Sequence, residues 1–239
     1  GCAAGGTDLP DVVTVENDEA EVYWARFPDC FTNLKTLGID KYKDAFPAFK
    51  WTQLSAGDAV YSMPWDSGPA VMFYRRDLYE KAGVDPAKIE TWDDFIEAGK
   101  KIVASSNGAV KIATIDTAGD DGWFRTIANQ QGCSYFDAKG ENITINQPGC
   151  VNALETVKKM VDAGILAQGG WDPQIQNVKT GAVAGAFFGG WYEGTIRSNA
   201  PELSGKWGVY LMPAAAKGGV RGASWGGSSL GIPASTKNQ

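Results

Sequence analysis

The stretch Ala59–Gly83, "AVYSMPWDSGPAVMFYRRDLYEKAG", decides how the fold is read, because two strand-like runs in it are separated by a break. "AVYSM" and "AVMFY" have the composition of buried strands. Between them "PWDSGP" places Pro64 and Pro69, which cannot donate the backbone hydrogen bonds that a central strand needs. The pattern therefore predicts that one strand ends and a different strand begins within this short segment.

Helical patterns alternate with short apolar strands along most of the chain. "TWDDFIEAGKKIVASS" is the clearest helix, with Thr91 as its N-cap and acids in its first turn. Its predicted inward stripe consists of Trp92, Phe95, Gly99, Ile102 and Val103. In a second helix, "VNALETVKKMVDAGIL", the residues in phase are Val151, Leu154, Val157, Val161 and Ile165. Strands are predicted at "DVVTVEND" (residues 11–18), "KIATID", "AVAGAFF", "WGVYLMP" and "GGVRGAS" (residues 218–224), so that the whole pattern is typical of an α/β fold.

Composition excludes several classes of function. The 239 residues include no histidine, which removes most zinc sites and the Ser-His and Cys-His nucleophile systems. The formal net charge is −6 and no Lys/Arg-rich run occurs, so a nucleic-acid partner is not expected. No apolar run approaches the roughly 20 residues that a membrane-spanning helix needs. No metal and no cofactor is predicted.

Four cysteines without metal-type spacing are typical of disulfides in an exported protein. Cys133 and Cys150 flank "SYFDAKGENITINQPG", which reads as a short hairpin that brings its ends within disulfide reach. Cys2 and Cys30 are the second candidate pair. Two alternatives stay open at this point: a lipid anchor on Cys2, suggested by the initial "GC", and four unrelated buried thiols.

Several predicted strand ends combine acids with aromatic residues, or place a tryptophan beside glycine. A flat indole stacks on the apolar face of a sugar ring, while a carboxylate accepts hydrogen bonds from the hydroxyl groups. Trp24, Trp51, Trp92 and Trp207 are expected in the core, and Trp171 could serve either purpose. The candidate ligand-binding residues are Asp18, Glu19, Trp65, Asp66, Ser67, Trp123, Trp191, Glu193, Trp225 and Gly226.

Six segments in order resemble the extracellular sugar-binding proteins of ABC importers, in the group that includes maltose-binding protein. They are "LPDVVTVENDE", "MPWDSGPAVMFYRRDLYEKAGV", "TWDDFIEAGKKI", "GGWYEGTI", "ELSGKWGVYLMP" and "WGGSSLGIPASTKN". The resemblance implies the type II periplasmic-binding-protein fold: two α/β lobes joined by a hinge, with the ligand cleft between them. The first lobe would comprise residues 1–67 and 228–239 and the second residues 68–227, with crossings near 67–70 and 228–231. It also implies that the chain lacks part of the first lobe.

The expected function is non-catalytic binding of a carbohydrate, in particular an oligosaccharide, and its delivery to a membrane permease by hinge closure. The protein would act as a monomer in the periplasm or, lipid-anchored, at the extracellular face of the membrane. Glycoside hydrolysis is the alternative, because paired carboxylates in an aromatic cleft are also what that chemistry needs. A third reading keeps the fold and changes the ligand to an anion, a metal or an amino acid.

Overall fold

The computed structural model describes residues 9–137 and 141–238. The chain divides into two compact units. Unit 1 contains Gly1–Ser67 and Gly226–Gln239, and unit 2 contains Gly68–Trp225. None of the helices in the described part of the chain is long and apolar enough to cross a membrane.

Unit 1 is built on a three-stranded antiparallel sheet in the order β1-β10-β4. Its elements are β1 (Val13–Glu16), α1 (Asn17–Arg26), α2 (Ala48–Gln53), β2 (Ser55–Ala56), β3 (Ala59–Val60), β4 (Ser62–Pro64) and β10 (Ser228–Gly231), with 3₁₀ turns at Pro28–Cys30, Leu34–Leu37 and Ile39–Ala45. Because β1 and β4 both run antiparallel to β10, their carboxyl ends meet at its first residue, Ser228. Strands β2 and β3 pair antiparallel as a short hairpin.

Unit 2 contains two small sheets, an antiparallel one in the order β8-β5-β9 and a parallel pair, β6-β7. Its strands are β5 (Ala70–Arg75), β6 (Ala113–Ile115), β7 (Leu166–Gln168), β8 (Gly185–Gly189) and β9 (Trp207–Leu211). Its helices are α3 (Arg76–Lys81), α4 (Trp92–Ser105), α5 (Gly122–Gln130), α6 (Pro148–Asp162), α7 (Trp171–Thr180) and α8 (Tyr192–Asn199), with 3₁₀ turns at Pro86–Lys88 and Pro201–Leu203. The alternation of helices and strands that the sequence predicts is therefore present in this unit.

The break at "PWDSGP" is where the chain changes sheets. Strand β4 ends at Pro64 and pairs with β10, whereas β5 begins at Ala70 and pairs with β8 and β9. The chain passes from unit 1 to unit 2 between Ser67 and Gly68 and returns after Trp225. Gly226 and Gly227 belong to unit 1, two residues before the predicted boundary, and the Asn17 amide donates to the Gly227 carbonyl at 2.9 Å. Movement of the two units about a hinge stays a prediction.

Helix α4 confirms its sequence pattern. Thr91 and Asp94 form a capping box, and Trp92, Phe95, Gly99 and Ile102 are buried as expected, with Val103 partly buried. Such a cap satisfies amide donors that the first turn of a helix otherwise leaves unpaired.

The inward face predicted for α6 is wrong at its first two positions. Val151 and Leu154 are 43% and 59% exposed, and the buried side of the helix carries Cys150, Ala153 and Met160 instead. Cys150, which is joined to Cys133, lies on the inner side of the helix, and in this orientation Val151 and Leu154 face outward. Small Ala153 permits close packing there.

Two further sequence expectations are corrected. Strand β1 ends at Glu16 rather than Asp18, because Asn17 begins α1 and the carboxylates of Asp18 and Glu19 suit the positive end of a helix. Residues 218–224 form no strand, and only Ser224 makes an isolated bridge, to Pro69. The reason is that this glycine-rich segment lacks strand alternation. The Arg221 side chain instead donates to backbone carbonyls outside the segment, those of Ile89, Leu211 and Met212.

Candidate functional site

The candidate residues in unit 1 lie where β1 and β4 end. The amides of Trp65 and Asp66 donate to the Ser228 carbonyl at 3.1 and 3.3 Å. In return the Ser228 amide donates to the Asp66 carboxylate. The Trp65 indole is 60% exposed, and Ser67 is exposed beside it. The backbone of "PWDS" is therefore held firmly while the Trp65 ring remains accessible.

A buried lysine donates a hydrogen bond to the backbone of this segment. The Lys50 side chain is 1% exposed and its ammonium donates to the Asp66 carbonyl. Burial lowers the pKa of Lys50, whereas the nearby carboxylates of Asp66 and Asp18 act to raise it. A Cβ on Gly227 would lie 2.8 Å from the Lys50 Nζ and 3.0 Å from the Asn17 Nδ2, so only glycine fits at that position.

Acidic groups gather at the same strand ends. Burial, followed by the charges of Asp66 and Asp18, raises the pKa of Glu16. Asp18 and Glu19 lie exposed in the first turn of α1. The buried side chain of Asn17 makes no hydrogen bond to any residue that the structure describes. Sequence reasoning did not single out Lys50, because a lone lysine in an aromatic segment gives no pattern.

The candidate tryptophans of unit 2 form a cluster with two phenylalanines. Trp225 packs on Phe188 and Phe187, with ring centroids 4.6 and 5.2 Å apart, and is only 6% exposed. Trp191 is 37% exposed, and its indole N–H donates to the Trp225 carbonyl at 2.9 Å. Trp171, which is 48% exposed, lies 6.2 Å from the Trp191 ring. Two of these indoles are thus accessible and the third forms part of the floor beneath them.

Glycines make this packing possible. A Cβ on Gly122 would lie 2.2 Å from the Trp225 ring, and one on Gly189 would lie 2.4 Å from the Trp191 Nε1. The glycine beside tryptophan that the sequence pattern showed therefore serves close packing of rings. Trp123 is 4% exposed and donates to the Thr114 carbonyl at 3.1 Å, so its indole is part of the core with only an edge at the site. Glu193 pairs with Arg197 at 3.5 Å on exposed α8 and does not line the cavity described next.

This cluster borders a cavity of about 220 Å³, called here the aromatic cavity. Its lining consists of Asp116, Gly119, Asp120, Trp123, Gly169, Gly170, Trp171, Gln174, Phe188 and Trp225. Gln174 is 6% exposed, and its Nε2 makes no hydrogen bond of acceptable geometry with the described residues. It nevertheless lies close enough to the Tyr192 hydroxyl to offset in part the rise in pKa that burial causes there. The cavity thus offers aromatic surface, two carboxylates and a buried amide.

The loop after β6 supplies the carboxylates. Asp116 accepts hydrogen bonds from the amides of Ala118 and Gly119 at 2.9 and 2.8 Å, and these bonds lower the pKa of Asp116. Asp120 accepts from the Gly122 amide at 2.8 Å. Neither Asp116 nor Asp120 is among the sequence-predicted ligand residues, although Asp116 follows the strand directly.

A second cavity of about 560 Å³ borders the same loop. It shares Asp116, Gly119, Asp120 and Trp123 with the aromatic cavity. Its remaining lining residues are Ile115, Thr117, Ala118, Asp121, Phe124, Leu154 and Val157. The exposure of Leu154 on α6 therefore places an apolar side chain at the edge of this larger cavity.

The disulfide prediction is confirmed for one pair and untested for the other. Cys133 and Cys150 are joined, with their Cα atoms 4.9 Å apart. An antiparallel bridge between Phe136 and Ile143 lies within the segment that they close, as the hairpin prediction requires. Cys30 is not a free thiol, and Cys2 lies outside the described residues. Within those residues, no group of three or more His, Cys, Asp or Glu side chains is arranged to hold a metal ion.

Comparison with known proteins decides the family. The family model of the bacterial extracellular solute-binding proteins matches residues 2–239. The chain belongs to this family. The resemblance read from the sequence is thereby confirmed. Membership of this extracellular family agrees with the expected location in the periplasm or outside the cell.

Two curated relatives bind sugars, according to their names. A lactose-binding protein of Rhizobium radiobacter is 34% identical over 94% of this chain and 54% of its own length. An arabinooligosaccharide-binding protein of Bacillus subtilis (strain 168) is 30% identical over 98% of this chain and 54% of its own length. The chain spans about half the length of the curated relatives it matches.

A solved structure shows the same fold. The ABC-transporter-associated binding protein of B. animalis subsp. lactis, in complex with β-1,6-galactobiose, aligns with a TM-score of 0.85 at 29% identity. The alignment covers 99% of this chain and 58% of that protein. The predicted fold class, α/β of the type II periplasmic-binding-protein kind, is confirmed.

Proposed function

We propose that the protein binds a neutral oligosaccharide without altering it and delivers it to the permease of an ABC importer. The observation that carries this proposal is the aromatic cavity of unit 2, where Trp171 and Trp225 lie beside the carboxylates of Asp116 and Asp120. Indole faces suit the C–H face of a sugar ring, and ionised carboxylates are strong acceptors for its hydroxyl groups. The sugar-binding relatives support the same ligand class.

The charge of the cavity favours a neutral ligand over an anion. Its described lining contains two aspartates and no lysine or arginine. A phosphate, sulfate or carboxylate ligand would meet like charge there without a cation to compensate it. We therefore propose that sugar phosphates and other small anions are excluded.

The second cavity supports a ligand of more than one sugar ring. Because the two cavities border the same loop at Asp116–Asp120, a chain of sugar units could cross the loop from one to the other. Phe124 and Leu154 offer apolar surface in the larger cavity, and Asp121 offers a further acceptor. An oligosaccharide uses both cavities, whereas a monosaccharide fills only the aromatic one.

One of these carboxylates, Asp116, is unsuited to the acid role that glycoside hydrolysis needs. A glycosidase needs one acid whose pKa is raised, so that it can protonate the leaving group. The hydrogen bonds from Ala118 and Gly119 lower the pKa of Asp116, which is the opposite of that requirement. We propose that the sugar leaves the site unchanged.

The sequence-predicted ligand residues stay proposals. Trp225 is supported because it lines the aromatic cavity, and Trp191 because its ring lies 6.2 Å from that of Trp171, which also lines it. Trp65 is supported by its exposed ring. Asp18, Glu19, Asp66, Ser67 and Gly226 rest on their position at the strand ends of unit 1, while Trp123 and Glu193 have the least support. Hinge closure on the sugar and a lipid anchor at Cys2 are proposed on the family resemblance.

Isothermal titration calorimetry with lactose, β-1,6-galactobiose and arabino-oligosaccharides tests the proposed function, with glucose 6-phosphate as the anionic comparison. We expect saturable binding of at least one oligosaccharide and none of the phosphate. Recovery of the bound sugar and analysis of its length by mass spectrometry tests for hydrolysis. Cleavage of the sugar, or tight binding of the phosphate alone, would contradict the proposal.

A further inference from the structure

We infer that Asp116 determines the sugar specificity of the aromatic cavity, because Gly119 and Gly170 leave one of its carboxylate oxygens open to ligand hydroxyl groups. This inference rests on the proposed function. It concerns which hydroxyl groups the protein recognises, and it assigns a role to two glycines that the fold itself does not require.

One oxygen of Asp116 is already used by the protein. The Oδ1 atom accepts hydrogen bonds from the amides of Ala118 and Gly119 at 2.9 and 2.8 Å. Asp116 directly follows β6, so that the strand fixes its Cα while the two amides fix the direction of its carboxylate. The second oxygen therefore points in a defined direction rather than rotating freely.

The second oxygen, Oδ2, accepts no hydrogen bond from the residues that the structure describes. A Cβ on Gly119 would lie 2.8 Å from Oδ2, and one on Gly170 would lie 3.1 Å from it. Any side chain at either position would crowd this oxygen. Two glycines from separate segments of the chain thus leave the same atom uncovered, at the edge of a cavity that all three residues line.

Backbone conformation does not explain the glycine at position 170. Its φ of −74° and ψ of −159° are extended values that other residues adopt readily. No other described atom, outside the adjoining residues, lies within 4 Å of a Cβ built there. The absence of a side chain at Gly170 has one structural consequence, namely an open Oδ2.

An ionised carboxylate oxygen accepts hydrogen bonds from hydroxyl groups that reach it from the ligand. A site that relies on such a bond discriminates against an analogue that lacks the hydroxyl group, because the bound sugar then covers the acceptor and leaves it unpaired. Asp116 would therefore distinguish saccharides by the position of one or two hydroxyl groups, whereas the indoles recognise only the ring face.

Two substitutions test this role by independent routes. Gly170→Ala places a methyl group against Oδ2 and leaves the charge in place. Asp116→Asn keeps an oxygen for the two amides and replaces the open acceptor with an NH₂ donor. Gly194→Ala is the matched glycine control, because a Cβ there meets nothing within 4 Å. Asp85→Asn is the matched charge control, since Asp85 accepts from the Ala87 amide at 3.0 Å in a similar turn away from the cavity.

Calorimetry uses the same saccharide panel, and melting temperatures check folding. Asp116→Asn is expected to weaken binding of the best saccharide about tenfold or more, the usual value of a hydrogen bond to a charged group. Gly170→Ala is expected to weaken it about fivefold without lowering the melting temperature. Both controls should stay within about twofold of the wild-type affinity.

Monodeoxy analogues of the best saccharide separate recognition from a purely structural role. The wild type should bind at least one analogue more weakly than the parent sugar, whereas Asp116→Asn should bind that analogue and the parent sugar with equal affinity. Equal discrimination by both proteins, or unchanged affinity in Gly170→Ala, would overturn the inference while the proposed function stands. If the wild type binds no saccharide, the proposed function is wrong and this inference falls with it.

Discussion

Asp66 in unit 1 and Asp116 in unit 2 differ in how far other protein groups already bond to them. At the strand ends of unit 1, the Asp66 carboxylate accepts from Ser228, and its carbonyl accepts from buried Lys50. In the aromatic cavity of unit 2, Asp116 keeps one oxygen uncovered, and Gln174 has an amide nitrogen without a well-formed hydrogen bond in the described structure. Among the described residues, other protein groups thus occupy the polar groups of Asp66, although not those of the Asn17 side chain beside it, whereas Asp116 and Gln174 each keep a polar atom for a ligand.

The hydrophobic cores of the two units differ in size and continuity. Unit 2 has one continuous cluster of buried side chains that extends from Ala70 to Trp225. Unit 1 has two smaller clusters, one around Trp24 and one around Trp51. A larger core holds side chains more rigidly, and a rigid support is what a preformed cavity needs. Substitutions in the two units should therefore separate effects on stability from effects on binding.

The largest effect is expected from Trp225→Ala. Removal of this 6% exposed indole, which packs against Phe187 and Phe188, should lower the free energy of unfolding by about 3–5 kcal/mol and abolish sugar binding. Trp65→Ala is the counterpart in unit 1, and because its ring is 60% exposed its unfolding free energy should change by less than about 0.5 kcal/mol.

Urea unfolding and calorimetry on both tryptophan variants measure the contrast. Binding by Trp65→Ala should weaken about tenfold or less if the ring stacks on the sugar. A decrease of less than about 1 kcal/mol in the unfolding free energy of Trp225→Ala would contradict the role of this residue as the floor of the cavity.

Lys50→Met tests how much the hydrogen bond from Lys50 to the Asp66 carbonyl stabilises unit 1. The substitution leaves the Asp66 carbonyl without its donor and removes the cation near Asp18 and Asp66. We expect a loss of about 1–3 kcal/mol in unfolding free energy, measured in urea. Lys35→Met, at an exposed lysine of the same unit, is the control and should change little. A more stable Lys50→Met protein would mean that the cost of burying the ammonium outweighs its contacts.

The sequence predicted most of the fold and only part of the candidate site. The proline break, the α4 stripe and the Cys133–Cys150 pair follow from local rules of propensity, periodicity and spacing, and the structure confirms them. The orientation of α6 was predicted wrongly, because apolar residues lie on two overlapping faces of the helix and the buried face carries Cys150, Ala153 and Met160.

The site residues that the sequence did not reveal depend on long-range geometry. Gly170 is a site residue only because of Asp116, more than fifty positions earlier in the chain. The Oδ2 atom of Asp116 lies 3.1 Å from where a Cβ of residue 170 would be. Lys50 is an ordinary lysine by pattern and becomes notable only through its burial beneath Asp66. Trp171 could not be assigned to core or site, since its surroundings come from β8 and α8 rather than from its own helix.

Leu154→Ser tests whether the larger cavity of unit 2 takes part in binding. Leu154 lines that cavity and Val151, on the same helix, does not, although both are exposed. We expect Leu154→Ser to weaken binding of a tetrasaccharide about threefold and to leave binding of a monosaccharide unchanged, by loss of apolar contact. Val151→Ser should affect neither ligand. Equal effects of Leu154→Ser on short and long ligands would exclude an extended site across the loop.

Glu16→Gln should have the smallest effect, and its pH dependence shows its origin. Burial and the charges of Asp66 and Asp18 raise the folded-state pKa of Glu16 above its usual value of 4.5. As pH rises, the unfolded chain loses this proton first, so the wild type loses stability until the pH exceeds the folded pKa. Glu16→Gln lacks that penalty, and near pH 7 its melting temperature should exceed the wild type's by on the order of 1 °C, since the side chain is exposed and screened. Below pH 4.5 the difference should vanish. Glu21→Gln, at an exposed position of α1, is the control. A gain of Glu16→Gln that persists at low pH would mean that neither burial of the carboxylate nor charge repulsion at the strand ends is its cause.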